Sequence, residues 1–74
     1  MSKSVLNEIA SGQLSGQYAH DVLIQKLKFE VRHQRSLDNE EKCAQATQLL
    51  AITMIRPLEN QVYVAHQLSK LINS

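Results

Sequence analysis

A second cysteine is missing, and with it any intrachain disulfide, since Cys43 is the only one in 74 residues. Tryptophan is absent, and the aromatics are Tyr18, Phe29 and Tyr63 alone. Strict two-residue alternation is missing as well, which argues against sheet. The only glycines are Gly12 and Gly16 and the only proline is Pro57, so the chain after Gly16 meets one strong helix breaker. Excess charge is lacking too: eight basic residues against seven acidic give a formal net charge of +1, without the strongly basic footprint of a typical nucleic-acid binder. No run approaches the ~18 apolar residues that span a bilayer. The opening MSKSVLNEIASG has no apolar core of the secretory kind, and a lone cysteine suits a reducing compartment. A soluble, cytoplasmic chain with no membrane partner is expected.

Chemistry is equally sparse. His20, His33, His66 and Cys43 show none of the close spacings that mark zinc sites. DNEE, residues 38–41, lacks the alternating oxygen ligands and central glycine of a calcium loop. No glycine-rich phosphate cradle or nucleophile elbow occurs. Cys43 falls on an apolar helix edge, where a free cysteine is a small core residue. The expectation is therefore no catalytic residue, no metal, no cofactor and no enzymatic activity.

What is present is helical periodicity. Residues 4 to about 10 predict a short helix or an arm that orders on binding, with Ser4 as cap and Val5, Leu6 and Ile9 as apolar edge. SGQLSG interrupts it, dividing an N-terminal segment, 1–16, from a helical domain, 17–74. A second segment runs from Gln17 to about Arg35, capped by Ser15 or Gly16 and ending in Arg32, His33 and Arg35, which suit the negative end of the helix dipole. Asp38 and Glu41 read as a capping box opening a third segment from Asn39 to about Asn73. Pro57 lies inside that segment, and the continuous apolar pattern predicts a kinked helix there. The fold class is all-α, an antiparallel helical hairpin with a short loop.

Each long segment carries two apolar stripes. In the second, Leu23, Ile24, Leu27 and Val31 cluster on one side, while Tyr18, Val22 and Phe29 fall nearly opposite. Polar flanks, one of them Lys26, Glu30 and His33, separate the two. In the third, Cys43, Ala46, Thr47, Leu50, Met54, Leu58, Ala65, Leu68 and Ile72 share a face that Gln61 interrupts. Ile52, Ile55, Val62 and Tyr63 occupy another. One stripe per helix closes a hairpin. The other predicts a partner-binding surface built from Tyr18, Val22, Phe29, Ile52, Ile55, Val62 and Tyr63, completed by a protein partner or a second copy. The competing fold has the N-terminal segment close over the second stripe to make a three- or four-helix bundle.

The stretch LLAITMIRPLENQVYVAHQL, residues 49 to 68, resembles the second helix of the small helical co-chaperones of type III secretion needle subunits. There an acidic residue precedes an apolar, Tyr-containing run; here these are Glu59 and Val62-Tyr63-Val64. The resemblance covers about residues 17 to 72. It implies a cytosolic, enzymatically inert hairpin that pairs with a larger helical-repeat chaperone and keeps the needle subunit unpolymerised until export. The rival function is a small DNA-binding regulator reading phosphates through KLKFEVRHQR, residues 26 to 35. Glu30 breaks that run and Lys26 sits on a different flank from Lys28 and Arg32, so nucleic acid is the less favoured partner.

Overall fold

The computed structural model describes residues 4–73, so the ends of the two expected segments, 1–3 and 74, lie outside the described residues. Four helices follow one another: α1 (Val5–Ala10), α2 (Gln17–Ser36), α3 (Glu40–Ile55) and α4 (Gln61–Asn73). No strand occurs among the described residues, so the all-α class holds. None of these helices is long and apolar enough to cross a membrane.

Local chemistry explains each boundary. Two helix ends are closed by the same pair of backbone bonds, in which a residue of positive φ lets the chain turn back on the last carbonyls. At the end of α1 that residue is Gly12, with φ 83°; its N–H donates to the Ile9 carbonyl at 3.1 Å, and Gln13 N–H donates to that of Glu8 at 2.9 Å. At the end of α2 it is Asp38, with φ 57°; its N–H donates to the Arg35 carbonyl at 3.0 Å, and Asn39 N–H donates to that of Gln34 at 2.9 Å. Asn39 then caps α3 directly, its side-chain oxygen accepting from Lys42 N–H at 3.1 Å. The capping box expected at Asp38 and Glu41 is thus corrected by one residue. Asp38 is consumed in closing α2, and the same turn hands the capping role to its neighbour.

The kinked third helix is corrected as well. Pro57 disfavours the helical conformation at the residue before it, and Arg56 is extended at φ −129°, ψ 76°. α3 therefore stops at Ile55. A turn follows with Pro57 at its second position, where its fixed φ belongs, and Glu59 N–H donates to the Arg56 carbonyl at 3.2 Å. Asn60, at φ 61°, reverses the chain before α4 begins. Pro57 separates two helices.

The core is shared by all four. Leu6 and Ile9 of α1, Ala19, Leu23 and Leu27 of α2, Leu49 of α3, and Val64, Ala65 and Leu68 of α4 form one buried cluster. α2 and α3 share the widest contact, and α1 lies mainly against α4. A six-residue helix is far too short to persist alone, so burial of Leu6 and Ile9 is what holds α1. It does not cover the second stripe, because Tyr18 and Phe29 remain exposed. The whole forms a flattened slab of 34 × 33 × 16 Å. That thinness leaves α3 burying only Ala46, Leu49 and Thr53.

One polar clasp crosses the slab. Gln61, only 8% exposed, accepts from Gly16 N–H through Oε1 at 3.2 Å. Its Nε2 donates to the Gly16 carbonyl at 2.9 Å and to the Pro57 carbonyl at 3.3 Å. Gly16 sits at φ 85°, ψ −155°, a region essentially confined to glycine. A Cβ there would meet no heavy atom within 4 Å, so the demand for glycine is purely conformational.

Two predictions follow from the packing. Gly16→Ala should cost about 1–3 kcal/mol through backbone strain. Gln61→Ala should cost about 1–3 kcal/mol by leaving partly buried backbone groups unpaired. In urea denaturation the double variant should lose less than the sum of the two, because both act on the same contact; strict additivity would show that the clasp does not couple them. Separately, Ile9→Ala should lose about 2–5 kcal/mol, a large fraction of the stability of so small a domain; an unchanged urea midpoint would show that α1 is not part of the cooperative core.

Candidate functional site

The described surface concentrates large apolar side chains at one place, the connection between α3 and α4. Met54 and Ile55 close α3, Leu58 lies in the turn, and Val62 and Tyr63 open α4; all five are exposed, Ile55 at 74%. Their exposure follows from the break at Pro57. In one continuous helix Met54 and Leu58 would share the phase of Ala65 and Leu68. With five residues, 56–60, spent on a turn, that phase is lost, and both are exposed.

The start of α2 adjoins the same end. The bonds between Gly16 and Gln61 bring the start of α2, which carries Tyr18, against the start of α4, which carries Val62 and Tyr63. Tyr18 is itself 61% exposed. His20, Ile24 and Lys28 line a shallow cleft with Met54 and Pro57. A longer groove of about 580 Å³ runs between α3 and α4, with Leu49, Ile52, Tyr63 and Leu71 among its lining and Glu41, Gln45, Gln48, Gln67 and Lys70 around them.

The seven residues expected to meet a partner thus fall into three groups. Tyr18, Ile55, Val62 and Tyr63 gather at the α3–α4 end and are exposed. Val22 and Ile52 are partly buried and pack on the core; Ile52 also lines the groove beside Tyr63. Phe29 is exposed but lies about 16 Å along α2 from Tyr18 at the usual helical rise, with its ring stacked on His33 at 5.6 Å. Periodicity alone missed Met54 and Leu58, which join the exposed end; Pro57 was the available signal, once read as a stop.

The polar interior is small and almost fully paired. Glu30 was expected on a polar flank, yet it is 5% exposed and accepts from Gln34 Nε2 at 2.8 Å. Its position explains the correction, since Glu30 and Gln34 continue the Leu23–Leu27 edge at helical spacing. Thr53 donates to the Leu49 carbonyl at 2.9 Å. The partly buried Cys43 thiol points to the Val31 carbonyl at 3.6 Å. His20 Nδ1 is a buried side-chain nitrogen without a hydrogen-bond partner among the described residues. No group of three or more His, Cys, Asp and Glu side chains among those residues is placed to hold a metal ion.

Comparison of the chain with protein-family models, with curated proteins and with solved structures finds no match.

Proposed function

We propose that this protein is a non-enzymatic interaction module that binds another protein, or a second copy of itself, through the apolar end at the α3–α4 connection. A single observation carries this: Tyr18, Met54, Ile55, Leu58, Val62 and Tyr63, six of the nine exposed large apolar side chains among the described residues, lie on adjoining elements. Monomeric soluble proteins rarely leave large contiguous apolar patches uncovered, and those that persist mark contact sites. Covering each such side chain is worth up to about 1.5–3 kcal/mol, far more than exposed rim charges contribute. The neighbouring α3–α4 groove, lined by both apolar and polar side chains, suits an amphipathic helix.

In this proposal α2 and α3 act as an antiparallel helical hairpin that presents the site, and the partner completes the apolar surface. A co-chaperone or adaptor role in the cytoplasm, with a larger helical chaperone as partner, agrees with the likeness of residues 49 to 68 to the needle-subunit co-chaperones. Val22 and Ile52 would support the site from beneath, and Phe29 would stand outside it.

Sedimentation of the whole chain, alone and with amphipathic helical peptides, tests the proposal. Wild-type protein should self-associate or bind such a peptide. The double variant Ile55→Asp, Val62→Asp should lose that association at least about tenfold, since each buried contact is worth a kilocalorie or more. Both positions are exposed, so the helical circular dichroism and the urea midpoint should stay near wild type. A wild-type chain that stays monomeric at high concentration and binds no helical peptide, or a variant that associates as wild type does, would refute it.

A further inference from the structure

The outer face of α2 reaches the apolar end only at Lys28, which shares the cleft with Met54 and Pro57, and has different chemistry. Between residues 26 and 36 this helix exposes Lys26, Lys28, Arg32 and Arg35. Among the described residues none of the four is held in an ion pair. The one acid in that stretch, Glu30, is turned into the interior against Gln34. What divides the basic run in the sequence is therefore missing from its surface, and the solvent-facing side of this segment carries only positive formal charge.

Along the chain, the nearest exposed acids lie beyond its two ends. Asp21 accepts from Gln17 Nε2 at 3.0 Å, more than a turn before Lys26. Asp38 and Glu40 border the same depression as Arg35 and offset that cation. Lys26, Lys28 and Arg32 remain as the uncompensated set.

Among them stands an aromatic ring. Phe29 is 58% exposed and stacks on His33, the ring planes 12° apart. At about 100° per residue Phe29 falls between Lys28 and Arg32 on one side and Lys26 on the other. The separation of Lys26 from the other two thus becomes a geometry: cations on both flanks of a planar apolar platform.

We propose that this face of α2 binds single-stranded nucleic acid. Lys28 and Arg32 meet backbone phosphates on one side and Lys26 on the other, and Phe29, backed by His33, stacks a base. The complementarity of charge supplies the attraction, and an exposed ring between cations is the arrangement that holds unpaired bases irrespective of sequence. A duplex hides its base faces and would leave Phe29 without a role. An anionic membrane surface calls for a longer apolar face than this one, since the polar, exposed Gln25, His33 and Ser36 adjoin Phe29 and Val22 on the same face is partly buried.

Fluorescence anisotropy of the whole chain with labelled oligothymidylate tests this. Three phosphate contacts predict a slope of log affinity against log salt of about −2. Lys28→Gln with Arg32→Gln should weaken binding at least about tenfold and flatten the slope to about −0.7, one contact remaining. Phe29→Leu should weaken binding about 5- to 150-fold with the slope unchanged, and Phe29→Trp should retain it. All of these positions are exposed, so the variants should keep the helical circular dichroism spectrum. Absence of binding at about 50 mM salt and about 100 µM protein would overturn the proposal. So would equal or tighter binding of duplex DNA, polyglutamate or anionic vesicles, or a Phe29→Leu variant that binds as wild type does. Ile55 and Val62 take no part, so these outcomes are independent of association through the apolar end.

Discussion

The contact between Gln61 and Gly16 is the constraint on which the arrangement of the helices depends. It joins residues 45 positions apart, and it does so with a single carboxamide that satisfies both polar groups of one peptide residue. The Gly16 carbonyl also accepts from His20 N–H, the first bond of α2. The same residue therefore starts α2 and receives the first residue of α4. With that end held, α4 carries Val64, Ala65 and Leu68 into the cluster formed by Ile9, Leu23 and Leu27. The two residues after Gln61 on a helix necessarily point elsewhere, so Val62 and Tyr63 face solvent for the same reason that Gln61 does not.

A slab this thin has little interior to lend to polar groups. Glu30 with Gln34, Thr53 with the Leu49 carbonyl, and Gln61 with Gly16 are each paired. A buried polar atom left without a partner would cost more than a single paired contact contributes. Turning Glu30 inward has a consequence at the surface, because it removes the only negative charge from the exposed side of α2 between residues 26 and 36. The fold thus separates two chemistries. Apolar side chains gather where α3 meets α4, and cations with one aromatic ring occupy the middle of α2.

Much of the helical layout was legible in the chain. The apolar spacing of Leu23 and Leu27 marked one edge of α2, and Ser15 or Gly16 was recognisable as its cap, which is Gly16. The basic end of α2 and the acidic start of α3 located the turn between them to within a residue. Less legible was anything that required two distant segments to meet. Gln61 read as an interruption of an apolar face, because its partner at Gly16 belongs to another part of the chain. Glu30 read as one of a solvated flank, because a carboxylate is normally exposed and only the buried amide of Gln34 reverses that. Pro57 was visible as a disruption, but a kink and a stop share the same local chemistry. The conformations of Arg56 and Asn60 turn it into a stop.

Composition and periodicity by themselves determined that this chain is helical, that no disulfide staples it, and that its helices bear apolar side chains on more than one side. These properties are local, set by residue type and by spacing within a few turns. Only the tertiary structure decided which side is inner, where the third segment divides, and which charges reach water. Each of these depends on a contact between elements far apart in the chain: Leu6 and Ile9 under α4, Gly16 against Gln61, and the shared core that draws Glu30 inward. Periodicity ranks the faces of a helix against water, and a face is chosen only when a second element arrives to cover it.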